Sequence, residues 1–264
     1  MSTLSLTGLF VYPIKSAGGF AVPSWPVDDF GLRHDRRWMV VDLHGEALTQ
    51  REHPRLALVR TAIEGDRLRV TAPGRAPLDL PLEPSSTVMT TATVWGDACA
   101  SAWMGEAAAR WFSELLGHAC SLVYMPEGTR RPADPDFAPA GVRVSYVDAY
   151  PFLLLSEESL ADLNARLPAP VPMNRFRPNL VIEGGAPYAE DGLAGFRIGS
   201  LDLEAVKPCD RCVLTTTDQE TGERGPEPLR TLARYRKAGG KVLFGQNVVH
   251  RTSGRLTVGE ALRV

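Results

Sequence analysis

The 264-residue chain lacks several features that would assign it at once. Its first residues, MSTLSLTGLFVYPIKS, carry no basic leader followed by an apolar run and a small-residue cleavage site, so a cytoplasmic location is the default expectation. The longest apolar stretch, around residues 152–155, falls far short of the ~20 residues a membrane helix needs. Charge of one sign is missing as well. Against 29 Lys and Arg stand 31 Asp and Glu, so no basic excess exists to attract nucleic acid or anionic lipid. Cysteine is scarce, with Cys99, Cys120, Cys209 and Cys212 alone, and the five histidines (His34, His44, His53, His118, His250) are scattered. In a reducing compartment such thiols read as buried side chains, ligands or catalytic groups rather than disulfides. There is no repeat and no low-complexity tract.

What is present is ordinary globular material, 44% hydrophobic, enough for one large or two modest domains. Short β-branched runs at 4–12, 38–42, 56–63, 67–72 and 87–94, punctuated by Gly and Pro, predict an antiparallel unit that closes as a small barrel. The period then changes over 102–116, where Trp103, Ala107, Trp111 and Leu115 fall four apart and predict a helix on that sheet. Four prolines in PEGTRRPADPDFAP, residues 126–139, resist both helix and central strand and mark a linker. The chain therefore divides into 1–126 and 127–264. In the second part a buried strand at 151–155 leads through Ser156, a good N-cap, into a helix over 157–167 with Leu160, Leu163 and Leu167 on one face. Strands are expected at 179–183, 201–206, 213–217 and 242–249. A helix over 229–237 follows Pro228 and ends at Gly239-Gly240. The expected class is mostly β, α+β, with a mixed α/β second domain.

The sharpest local signal is KPCDRCVLTTTD, residues 207–218. Structural zinc needs four ligands, and no second Cys or His pair has the spacing. A thioredoxin-like dithiol belongs at a helix N-terminus, whereas a β-branched run follows here. Two readings remain from spacing: a single thiolate on a soft metal, or two buried structural cysteines. A second signal is polar residues in turns. Lys15 and Ser16 in VYPIKSAGG precede glycines that would let backbone N–H groups approach an anion closely. Arg36 in LRHDRRW and Arg177 in NRFRPN each precede a strand, where a guanidinium is either solvated or the bidentate partner of a phosphate.

VYPIKS, GLRHDRRWMVVD, NRFRPNLVIEG, CDRCVLTTTDQETGERG, EPLRTLARYR and FGQNVV occur in the order seen in two-domain MOSC proteins. The chain resembles the family of the amidoxime-reducing component, with an N-terminal MOSC β-barrel domain followed by a MOSC domain with a β-barrel core. That resemblance implies a molybdenum–molybdopterin cofactor (Mo-MPT) with Cys212, the second cysteine of the C-x-x-C, as metal ligand and catalytic thiolate, and Cys209 dispensable. By motif position, Lys15, Ser16, Arg36 and Arg177 would contact the pterin phosphate or edge. Ala149, Tyr150, Asp210, Arg211 and Asn247 would line the rest of the pocket. Asn179 matches too, although a turn-capping amide accounts for it equally. The implied reaction is two-electron reduction of an N-hydroxylated compound: an amidoxime, a hydroxylamine or an N-hydroxylated base. Since no four-cysteine iron–sulfur pattern occurs before Val264, electrons are expected from a separate ferredoxin, flavoprotein or cytochrome. Arg230, Arg234, Arg236 and Lys237 offer a basic face for such a donor, or simply a solvated one. The alternative the resemblance leaves open is a sulfur or cofactor carrier using a Cys212 persulfide.

Overall fold

The computed structural model describes residues 4–84 and 88–264. It is mostly β, with curled sheets forming half-barrels. Among the described residues the largest sheet has nine strands. Its centre is Leu201–Asp210, Lys241–His250, Phe152–Ser156 and Leu180–Glu183, and Ser5–Val11 joins its far side. The N-terminal strand thus pairs with residues 171 to 178 positions later in the chain, Ser5 opposite Glu183 and Leu9 opposite Leu180. Leu6, Leu9, Phe152, Leu180, Leu203 and Val248 form its buried face.

The Phe152–Ser156 and Leu180–Glu183 strands run parallel, which requires a crossover, and helix Glu157–Arg166 supplies it. Ser156 caps that helix, its hydroxyl accepting the Ser159 backbone N–H at 3.1 Å. The same hydroxyl donates to the fully buried Glu190 carboxylate at 2.9 Å.

A second layer joins Trp38–Val41, Ser121–Tyr124, Asp97–Trp103 and Met89–Val94, and a third joins Arg60–Glu64, Arg67–Thr71 and Leu78–Pro81. Helix Glu106–Leu116 closes over them with Ala108, Trp111, Phe112 and Leu115 buried beside Trp38 and Leu56. From Pro126 to Pro151 the chain runs without helix or strand, as the prolines predict for residues 126–139.

Four local expectations are corrected. Ala102 and Trp103 belong to a strand, because they pair with Tyr124 and Val123, and sheet pairing overrides their helical spacing. Exposed Ala107 is likewise off the buried helix stripe. Pro54–Leu58 is a 3-10 turn and the strand begins only at Arg60. Val213–Thr216 is also a 3-10 turn rather than a strand. The helix after Pro228 stops at Tyr235, and Gly239-Gly240, with φ of 55° and 79°, turns a hairpin between Ala238 and Lys241 instead of ending the helix. The expected start of one strand, Thr87, lies outside the described residues; the strand is seen over Met89–Val94.

Ser156→Ala removes both the cap and a donor to a buried carboxylate, and should cost about 2 kcal/mol. Thermal unfolding should register this as a midpoint ~4–8 °C lower. An unchanged midpoint would mean that these two bonds contribute nothing net.

Candidate functional site

The layers meet at one cleft of about 810 Å³, counting the part open to solvent. All eleven residues singled out from the sequence line it: Lys15, Ser16, Arg36, Ala149, Tyr150, Arg177, Asn179, Asp210, Arg211, Cys212 and Asn247. They arrive on six separate segments, and the backbone explains how. The Lys15 N–H donates to Trp38 O at 2.8 Å and the Arg36 N–H to Tyr12 O at 2.7 Å, so the two N-terminal turns are laced together. Arg131 is buried under the rim and donates to Ser145 O and Val147 O, both at 2.8 Å, holding the loop that presents Asp148, Ala149 and Tyr150.

Ser16, Arg36 and Arg177 all adopt positive φ, at 66°, 48° and 58°. That conformation costs a side-chain-bearing residue about 1–3 kcal/mol each, and such strain persists where surrounding structure imposes it, commonly at functional sites.

The charges are unbalanced. Lys15, Arg36, Arg51, Arg177 and Arg211 face the cleft against only Asp148 and Asp210. Arg36 and Arg177 both lie over the Tyr12 ring, their guanidinium carbons 4.3 and 4.5 Å from its centroid. Buried Asp35 receives Arg36 Nη1 at 2.6 Å and the Tyr12 N–H at 2.8 Å. Desolvation still pushes the Asp35 carboxyl upward against the pull of Arg36. Burial, with Arg36 as like-charged neighbour, lowers Arg177 from 12.5 to about 10. Burial also lowers Lys15, opposed by Asp148 at 2.5 Å. Against its own desolvation, Asp148 is held well below the usual carboxylate range by Lys15 and Arg51.

Cys212 ends the run after strand Leu201–Asp210 and opens the 3-10 turn, whose first bond is Thr215 N–H to Cys212 O at 3.1 Å. Its side chain caps no N–H group of that turn. Arg51 Nη2 instead lies 3.2 Å from Cys212 Sγ. Cys209 also lines the cleft; it accepts from Arg211 Nη1 at 3.1 Å, and burial pushes its thiol upward. Three cleft-lining residues leave a buried polar atom without a partner among the described residues: Arg51 Nη1, Tyr150 Oη and Arg211 Nε. Buried polar groups are mostly satisfied by protein, water or a bound group.

Two sequence readings change. Gly18 and Gly19 serve chain packing rather than an anion: a Cβ on Gly18 would meet Val59 O at 2.8 Å, and one on Gly19 would meet Val11 O at 2.4 Å. Asn179 ties segments together, its Oδ1 accepting from Arg36 at 3.0 Å and its Nδ2 donating to Phe10 O at 3.2 Å. Of the basic residues near helix Leu229–Tyr235, Arg230 pairs with Glu227 and Arg236 with Asp191, which leaves less of a basic face than the sequence suggests.

Residues the sequence reading missed are Arg51, Asp148 and the fully buried Gln50. Gln50 Nε2 donates to Ser16 O at 2.6 Å, and Gln50 and Gln219 exchange amide bonds at 3.2 and 3.1 Å, which clamps the Cys212 segment to the Lys15 turn. In TQREHPR nothing distinguishes Gln50 and Arg51 from a solvated charged run.

Residues 3–119 match the MOSC N-terminal beta barrel domain and residues 141–263 the MOSC domain. Mitochondrial amidoxime-reducing component 1 of Homo sapiens is 37% identical over 96% of this chain and 80% of its own length. The Mus musculus protein of that name is 39% identical, over 96% and 79%. A molybdenum cofactor sulfurase of Oryza sativa subsp. japonica is 35% identical over 93% of this chain, but the chain spans only 32% of that relative.

Arg177→Met discards a charge whose burial depresses its pKa from 12.5 to about 10, equivalent to roughly 3 kcal/mol. It also loses a bond to Ala17 O and the stack on Tyr12, together about 2–3 kcal/mol. The two offset, so the ligand-free melting midpoint should move by less than ~4 °C. Affinity for a phosphate ester should fall ~10-fold or more in equilibrium dialysis. Collapse of the midpoint with unchanged affinity would make Arg177 a purely structural cation.

Proposed function

The chain belongs to the MOSC family, with a MOSC N-terminal domain followed by a MOSC domain, and from that premise we propose that its cleft holds molybdenum–molybdopterin and reduces N-hydroxylated compounds. The observation that carries this reading is a cleft where five cations meet two carboxylates beside a half-buried thiol. A dianionic phosphate would supply the missing negative charge, and the polar edge of a pterin would offer partners to Tyr150 and Arg211. Among the described residues no three His, Cys, Asp or Glu side chains cluster as a metal site, so Cys212 offers one soft ligand and the group must bring the others. A metal carried on a pterin dithiolene fits that donor set.

Lys15, Ser16, Arg36 and Arg177 would hold the phosphate. Ala149, Tyr150, Asn179, Asp210, Arg211 and Asn247 would line the pterin, and Cys212 would bind the metal. When bound, the cofactor supplies a two-electron couple at molybdenum for cleaving an N–O bond. Arg51, donating toward the Cys212 sulfur, orients the thiolate and offsets its charge. Phe152, Phe176 and Leu214, with Val147 and Leu153, make the apolar part of the lining and exclude water. Electrons would come from a separate ferredoxin, flavoprotein or cytochrome, and the substrate is a small molecule: an amidoxime, a hydroxylamine or an N-hydroxylated base. We retain the division at 126/127 with one qualification, that strand Ser5–Val11 lies in the second domain's sheet. No helix of the described residues is long and apolar enough to cross a membrane, and we place the protein in the cytoplasm.

The sulfurase relatives support a second reading, a carrier that forms a persulfide on Cys212. One pair of variants separates them. In the molybdenum-loaded protein, Cys212→Ala should abolish reduction of an N-hydroxylated substrate by a chemical reductant, while Cys209→Ala keeps a substantial fraction. Equal loss in both, or in neither, rejects the assignment. A persulfide on wild-type Cys212 without molybdenum would favour the carrier.

A further inference from the structure

The hairpin joining strands Met89–Val94 and Asp97–Trp103 turns through two residues, Trp95 and Gly96, with Val94 opposite Asp97. Both have positive φ, 54° and 87°. A two-residue turn of this kind favours Asn, Asp or Gly at its first position, and an indole there is strained. The strain is not repaid by a buried core, because Trp95 is 50% exposed. The indole reaches the mouth of the cleft instead. Its Nε1 donates to Asp148 Oδ1 at 3.1 Å, and the Arg51 guanidinium carbon lies 4.3 Å from its ring centroid. Arg51 in turn touches Cys212 Sγ at 3.2 Å and keeps Nη1 without a partner among the described residues. Val213, which follows Cys212, is a second large apolar side chain left exposed, at 43%. A flat indole and a flat guanidinium therefore stack one contact away from the thiol that the proposed chemistry uses.

We propose that Trp95 and Arg51 form the substrate-recognising wall of this cleft, and that they select planar, π-conjugated N-hydroxylated compounds over aliphatic ones. This deepens the reductase reading above and rests on it. A conjugated ring continues the stack, and its flat N–O group places an acceptor beside the guanidinium. An aliphatic substrate offers the acceptor but no ring to stack.

The test compares benzamidoxime with acetamidoxime, which share the reacting group and differ in phenyl against methyl. In the molybdenum-loaded wild type, calorimetry should give benzamidoxime at least ~10-fold the affinity of acetamidoxime, about the 1.4 kcal/mol expected of one stacked ring. Trp95→Asn meets the backbone demand without the indole, so its melting midpoint should equal or exceed the parent's while the affinity ratio collapses toward one. Trp95→Gly satisfies the same turn and should give the same collapse. In turnover, the loss should fall on KM for benzamidoxime. A wild-type ratio near one, or a ratio that survives both substitutions, overturns the proposal. Absence of turnover for any N-hydroxylated compound would instead overturn the reductase reading, and the affinity ratio would still decide whether this wall recognises rings.

Discussion

Positive charge without its counter-charge organises the centre of this protein. Arg36 and Arg177 share the Tyr12 ring, Lys15 lies buried with Asp148 as its carboxylate, and Arg51 and Arg211 complete the set around the cleft. Bringing such cations out of water is unfavourable unless they are paired or capped by ring faces. Asp35 and Asp148 supply part of the compensation and the aromatic ring another part, yet partnerless donors remain. That imbalance is kept in one place, and the strained backbone of Ser16, Arg36 and Arg177 is tied to the same place.

Holding the cations together requires that distant segments be fixed to each other, and the architecture follows from that need. Strand Ser5–Val11 threads into the sheet of the second half, so the Lys15 turn that follows it starts beside Asn179 and Arg177. The Gln50–Gln219 amide pair then draws the Cys212 segment onto the Ser16 turn. Arg131 fixes the rim from below. The Gln50–Gln219 pair and the Arg131 bonds are polar and buried, so each leaves unsatisfied groups if its partner is lost. The site is consequently the join between the layers, rather than a feature of either.

Much of this was legible in the sequence, for identifiable reasons. Ser156 before an acidic first turn declares a helix start, and four prolines in fourteen residues exclude helix and strand there; both are local rules that tertiary contacts did not override. The residues flagged by motif order lie around one cleft. What failed did so where the deciding contact is non-local. Val213–Thr216 has β-branched composition but pairs with no strand among the described residues, and forms a 3-10 turn. Gly18 and Gly19 look like an anion loop, yet the groups they approach are Val59 O and Val11 O. Arg51 and Trp95 were invisible because a charged run and a hairpin tip carry no sign of where the fold sends them.

The account stands or falls on what the cation cluster holds. Elemental and pterin analysis of the purified chain, expressed in a host that makes molybdenum cofactor, tests that directly. Stoichiometric molybdenum, with a phosphate-bearing pterin released on denaturation, is the predicted result. Fully folded protein that carries neither, whatever the expression host, would contradict it.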